Sequence, residues 1–188
     1  MSIDKIQSRF LETARNYERL AASAEPIHEV AAALCDCLRA GGKVLFCGNG
    51  GSAADAQHFA AELTGRFLRD RKPLSALALV CNAATVTSIA NDYGYEATFE
   101  RQVRAIGRPG DALVGISTSG NSPNVVNALR AARELQLVTV ALTGERDGAV
   151  DAWSDYCLKV PSADTPRIQE MHIAVGHILC ELIEDALG

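Results

Sequence analysis

A chain of 188 residues, 48% of them hydrophobic, has the length of one domain and the apolar content for a sizeable core. Its formal net charge of -5 is spread along the chain rather than blocked, which argues against a nucleic-acid footprint. No long uncharged apolar run suggests a membrane span, and the start Met1-Ser2-Ile3-Asp4-Lys5 lacks the apolar segment of a secretory signal. The cytoplasm is the default expectation.

The first forty residues read as two helices. Ile6, Phe10, Ala14, Tyr17 and Leu20 fall at helical spacing, as do Val30, Ala33, Leu34 and Leu38 after Pro26. Gly41-Gly42 then stops the second helix. From residue 43 onward, short apolar runs alternate with helical periods. Strands are predicted at 43–47, 74–80, 111–116, 138–143 and 156–160. Helices are predicted at about 53–66, 84–90, 95–106, after Ser122 to about Leu135, and over 168–187. Such alternation predicts an α/β fold, a parallel sheet with helices on both faces, in one domain spanning 1–188. The N-terminal pair (1–41) and the last helix are additions that pack on the sheet or on another subunit. Six cysteines are expected as buried free thiols, because Cys35 and Cys37 are too close for a standard zinc pair and the others stand alone in apolar segments.

Two strand-to-helix transitions carry similar loops, GNGGS at 48–52 and STSGNS at 117–122. In parallel α/β sheets ligands collect at the carboxyl ends of strands. Glycines there let the backbone approach an anion, and the helix N-terminus behind offers free N–H groups. Ser117, Thr118, Ser119 and Ser122 add four hydroxyls able to donate to phosphate oxygens. The nucleotide pattern GxxxxGK[ST] is absent, and Ala53 stands where GxGxxG would place its last glycine. Both loops therefore fit a phosphate monoester better than a nucleotide, although each alone would pass for an ordinary helix-capping turn.

His58 and Glu62 lie four apart and share a helix face. HxxxE serves as a metal pair, an acid/base pair or a solvated surface pair; its place two turns beyond the first loop favours a functional use. The last helix holds Gln169, His172 and His177 among Ile168, Met171, Ile173, Val175, Ile178 and Leu179. Polar groups on an apolar face need partners, but spacing alone does not choose between His172 and His177.

The segments CGNGGSAADAQHFAAELTGRF, IANDYG, GISTSGNSPNV and ADTPRIQEMHIAVGHILC together resemble the phosphoheptose isomerases, within the sugar isomerase (SIS) domain superfamily. The resemblance runs to about Glu184. It implies a three-layer, flavodoxin-like SIS fold. It also implies conversion of sedoheptulose 7-phosphate to D-glycero-D-manno-heptose 7-phosphate through an enediol, the first step towards ADP-heptose for lipopolysaccharide. By the same resemblance the protein is a homotetramer with active sites near subunit interfaces, and one zinc ion per subunit is held by His58, Glu62, Gln169 and His177. Glu62 and His177 would be the acid/base pair, leaving His172 a supporting role. The sugar phosphate would be held by Asn49, Gly50, Gly51, Glu62, Asn91, Asp92, Ser117, Thr118, Ser119, Ser122 and Gln169. Pro166 stands where some members carry an acidic residue, with Asp164 nearby, so the contacts of the 162–167 loop are open.

Eight residues of helix separate Cα atoms by about 12 Å and turn them by about 80°. Gln169 and His177 are therefore expected to meet one ion only if Gln169 lies in a non-helical turn or the two come from different subunits. Two other functions compete with the enzyme. A relative that binds the bacterial replication initiator shares the HFAA segment but carries non-catalytic residues at the positions of Glu62 and His177. A sugar-phosphate sensor would need an appended DNA-binding segment, for which the residues before the first strand leave no room.

Overall fold

The computed structural model describes residues 2–188. Two helices, α1 (Ile3–Ala21) and α2 (Ala24–Arg39), precede an alternating series. It runs β1 (Val44–Gly48), α3 (Gly51–Thr64), β2 (Ala76–Ala78), α4 (Ala83–Tyr93), α5 (Thr98–Ile106), β3 (Ala112–Ile116), α6 (Pro123–Glu134), β4 (Val138–Thr143), β5 (Tyr156–Lys159) and α7 (Thr165–Leu187). All strand pairs are parallel, in the order β2-β1-β3-β4-β5. This is the flavodoxin-like order, and its direction reverses between β1 and β3.

Side chains alternate across each strand, so one run of apolar residues feeds two cores. Val44 and Phe46 of β1 join the layer under α2, α3 and α7, while Leu45 and Cys47 join the layer under α5 and α6. Covering both faces explains why β1 and β3 are buried along their whole length. α7 packs on α2, α3 and β4, so the last helix belongs to the sheet's cover rather than standing apart.

Boundaries differ from the sequence pattern where backbone groups have other partners. β2 is three residues rather than seven, because the Leu74 N–H goes to the Leu63 carbonyl at the end of α3 and Cys81 closes a turn. α7 starts three residues early, at Thr165: Pro166 lies in the first turn, where no N–H is required, and the Ile168 N–H closes on the Asp164 carbonyl. Pro26 is likewise tolerated in the first turn of α2. Four thiols, Cys35, Cys37, Cys47 and Cys180, are buried, and Cys157 is half-buried. Cys81 is exposed, against expectation, since it sits in the turn leading to α4 rather than in a strand.

Candidate active site

β1 and β3 are adjacent and in register from Val44↔Ala112 to Gly48↔Ile116, so the loops that follow them leave the sheet side by side at its reversal point. That crevice is where an open parallel sheet takes its ligand. In the second loop Ser117 is buried, with its Oγ 3.0 Å from Ser122 Oγ and 3.5 Å from Ser119 Oγ. Thr118 and Ser119 face a cleft of about 240 Å³ shared with Glu145, Arg146, Ser162 and Thr165. The 162–167 loop thus contributes hydroxyls to the same cleft, and Asp164 instead lies 3.8 Å from Arg9 of α1. A wider groove of about 610 Å³ between α1 and the start of α7 is lined by Ile6, Arg9, Phe10 and Arg167. It carries none of the loop chemistry.

Further along α3, His58 Nε2 lies 2.8 Å from His177 Nε2 and 3.3 Å from Glu62 Oε1. The helical spacing brings His58 and Glu62 onto one face, and parallel packing of α7 delivers His177 to it. Phe67 lies against the His177 ring, with centroids 5.7 Å apart. Two atoms with lone pairs crowd around His58 Nε2, and a single proton satisfies at most one contact fully. Among the described residues no three His, Cys, Asp or Glu side chains form a ready-made metal cage, and the trio stands at hydrogen-bond spacing.

Gln169 is elsewhere. A Cβ on Gly51 would lie 2.5 Å from Gln169 Nε2, so this side chain rests on the first residue of α3. His177 meets the same helix seven residues further on, about 10 Å along its axis. Both residues lie in regular α-helix, which removes the non-helical turn as a way of joining them. Asn91 and Asp92 sit on the exposed end of α4, where Asn91 Nδ2 donates to Asp92 Oδ1 at 2.8 Å.

His172 is wholly buried, with Nε2 3.2 Å from the Thr143 carbonyl and Nδ1 without a protein partner. Burial pushes its pKa down to about 4, against the pull of that carbonyl, so the ring is neutral. Asp55, one turn before His58, has a buried Oδ2 without a protein partner. Burial raises its pKa to about 6, with His58 pulling the other way. Arg71 and Glu184 form a buried pair, Nε to Oε1 3.1 Å. Arg71 also donates to the Glu62 and Leu63 carbonyls that end α3, and Glu184 accepts the N–H groups of Phe67, Leu68 and Arg69. Nothing in the spacing of RDRK or of CELIED signals this pair. Asn124 and Tyr95 were equally silent in sequence, yet both bond Asn49.

The SIS domain family model matches residues 10–144. The phosphoheptose isomerase of Rhodospirillum rubrum is 55% identical over 185 residues, covering 98% of both chains. The chain belongs to the phosphoheptose isomerase family. Solved structures agree across nearly the whole fold. The phosphoheptose isomerase from Neisseria gonorrhoeae superposes with a TM-score of 0.91 at 45% identity, covering 97% of this chain and 98% of its own. That from Francisella tularensis reaches 0.95 at 40% identity, covering 98% and 99%. Membership in the phosphoheptose isomerase family thus rests on the α1–α2 pair and α7 as well as on the SIS core.

Proposed function

We propose that this chain interconverts sedoheptulose 7-phosphate and D-glycero-D-manno-heptose 7-phosphate by proton transfer through a cis-enediol. The observation that carries the reading is the His58–Glu62–His177 trio on α3 and α7, where α3 is the helix that the first of two hydroxyl- and glycine-rich loops leads into. The loops supply hydroxyls and helix N-termini for the phosphate, with Asn49, Gly50, Gly51, Ser117, Thr118, Ser119 and Ser122 as its binding residues. Asn91, Asp92 and Gln169 are assigned to the sugar on family membership. In the forward direction Glu62 takes a proton from C1 of the ketose while His177 places one on the C2 oxygen. The return step delivers a proton to C2 and removes the one on the C1 oxygen, leaving the aldehyde. Each such group contributes about 10²–10⁴-fold.

Two imidazoles and one carboxylate are the donor classes of catalytic zinc sites, and the crowded lone pairs at His58 Nε2 are what a cation would satisfy. His58, Glu62 and His177 would hold the ion, with Gln169 supplied by another copy of the chain. When bound, zinc would polarise the carbonyl as a Lewis acid. Two separate exposed apolar surfaces support a homotetramer. One is Ile3, Ile6, Phe10 and Leu11 on α1; the other is Leu68 and Ile178 beside the trio. Two separate apolar patches, each closing on its own copy about a two-fold axis, would generate a dimer of dimers. All six thiols are free, which suits a reducing compartment such as the cytoplasm. No described helix is long and apolar enough to cross a membrane.

Glu62→Gln tests the assignment of the base. The amide keeps the shape but does not accept the proton, so turnover should fall by at least about 10²-fold while sugar-phosphate affinity, measured by calorimetry, stays near wild type. Substantial residual turnover would remove Glu62 from that role.

A further inference from the structure

A reciprocal pair of side-chain amides ties the first ligand loop to α6, the helix that follows the second. Asn49 Nδ2 donates to Asn124 Oδ1 at 2.9 Å, and Asn124 Nδ2 donates to Asn49 Oδ1 at 2.8 Å. Asn49 follows β1 directly, and Asn124 is the second residue of α6, 2% exposed. An amide pair of this kind is unchanged if both groups flip, so it does not by itself decide which atom of Asn49 faces a ligand. Its neighbours do. The Val125 backbone N–H, which only donates, lies 3.0 Å from Asn124 Oδ1 and fixes that atom as oxygen. Asn49 must then place nitrogen opposite it and oxygen opposite Asn124 Nδ2. The Tyr95 hydroxyl donates to that Asn49 oxygen at 3.0 Å.

Counting donors and acceptors finishes the argument. Asn49 Oδ1 has two acceptor positions, and Asn124 and Tyr95 take both; Asn49 Nδ2 has two hydrogens, and Asn124 takes one. The single polar function left on Asn49 is one N–H. We propose that Asn124 and Tyr95 are positioning residues for substrate binding, fixing the Asn49 amide so that it offers a donor, never an acceptor, to an oxygen of the bound sugar phosphate. The proposal rests on the isomerase reading, in which Asn49 touches substrate. Asn124 and Tyr95 act only through it.

The test is a double-mutant cycle read as KM against kcat for sedoheptulose 7-phosphate, with dissociation constants measured alongside by calorimetry. Asn124→Ala should raise KM about fivefold, the worth of one neutral hydrogen bond, with kcat within about twofold of wild type. Tyr95→Phe, at an exposed position that leaves the fold intact, should shift KM the same way by a smaller factor. In the Asn49→Ala background both substitutions should have no further effect on KM, because the group they orient is gone. Multiplicative KM changes in that background would overturn the proposal, as would a fall in kcat with KM unchanged. Unchanged affinity in Asn49→Ala itself would also overturn it. A wild-type chain that binds the sugar phosphate without turning it over would sink the isomerase reading instead, and the coupling would still be decided from the dissociation constants.

Discussion

At the scale of single residues, the two histidines of α7 show how burial divides like side chains. His172 and His177 are five residues apart, which turns them about 140° around the helix. One points into the layer beneath the sheet's end, the other towards α3. Both have apolar neighbours in sequence, so only packing separates them, and spacing left that choice open. The His58–Glu62 pair was legible because four residues is a helical repeat; the Asn49–Asn124 pair was not, because it joins a loop to a helix 75 residues away. His172 also sets a pH dependence. Its folded pKa of about 4 lies below the ordinary value of 6.5. Its neutral form therefore supports the fold fully above pH 6.5, and that contribution is lost as pH falls from there towards 4. The full loss is about 3 kcal/mol. Urea midpoints measured from pH 7 to pH 4 should fall for the wild type and fall less for His172→Met; parallel slopes would show that another group governs. Ser119→Ala removes a hydroxyl that lines the cleft. If it meets phosphate, binding should weaken by about 1.5–3 kcal/mol, one to two decades in the dissociation constant, with kcat little changed.

Among elements, the pairing of α3 with α7 places the trio. A Cβ on Gly176 would lie 2.0 Å from the Phe59 ring, so these helices approach as closely as they do only because position 176 has no side chain. Gly176→Ala should push them apart, lowering stability by about 1–3 kcal/mol and separating His177 from His58. The Arg71–Glu184 pair fixes the far end of α3. Burial raises the Glu184 carboxyl, but the N–H groups of Leu68, Phe67 and Arg69 and the Arg71 guanidinium outweigh it and hold it below the ordinary range. A carboxylate held low stabilises the fold above its unfolded pKa and loses that contribution as pH falls through the folded one. Arg71→Met leaves a buried carboxylate with its cation gone and should cost about 3–5 kcal/mol in chemical denaturation at neutral pH. A loss under about 1 kcal/mol would mean the pair is dispensable. Sequence patterns located α3 and α7 through their helical periods. They did not reveal that Gly176 faces Phe59 or that Arg71 caps α3, since both are contacts between segments distant in the chain.

For the whole molecule, the alternation of short apolar runs with helical periods was enough to place every strand and the covering helices, because a parallel sheet buried on both faces writes itself as short, mostly apolar runs such as VLFCG and ALVGI. β2 was overextended because an edge strand shares its backbone groups with neighbours outside the ladder. The assembly is a further step. Within one chain Gln169 lies at the start of α3 and His177 about 10 Å along it, so a site using both takes them from two copies. Mixing Gln169→Ala with His177→Ala protein should then restore part of the activity in verified mixed assemblies, and dilution to the monomer should abolish wild-type turnover. No recovery on mixing would rule out sharing between subunits.

Incubation of the purified chain, supplied with zinc, with sedoheptulose 7-phosphate in deuterated water tests the central claim most directly. Product identification by NMR should show an aldoheptose 7-phosphate carrying deuterium at C2, the mark of an enediol that exchanged its proton with solvent. Hexose phosphates should be converted less efficiently. Folded, zinc-supplied protein that leaves sedoheptulose 7-phosphate unchanged would contradict the account.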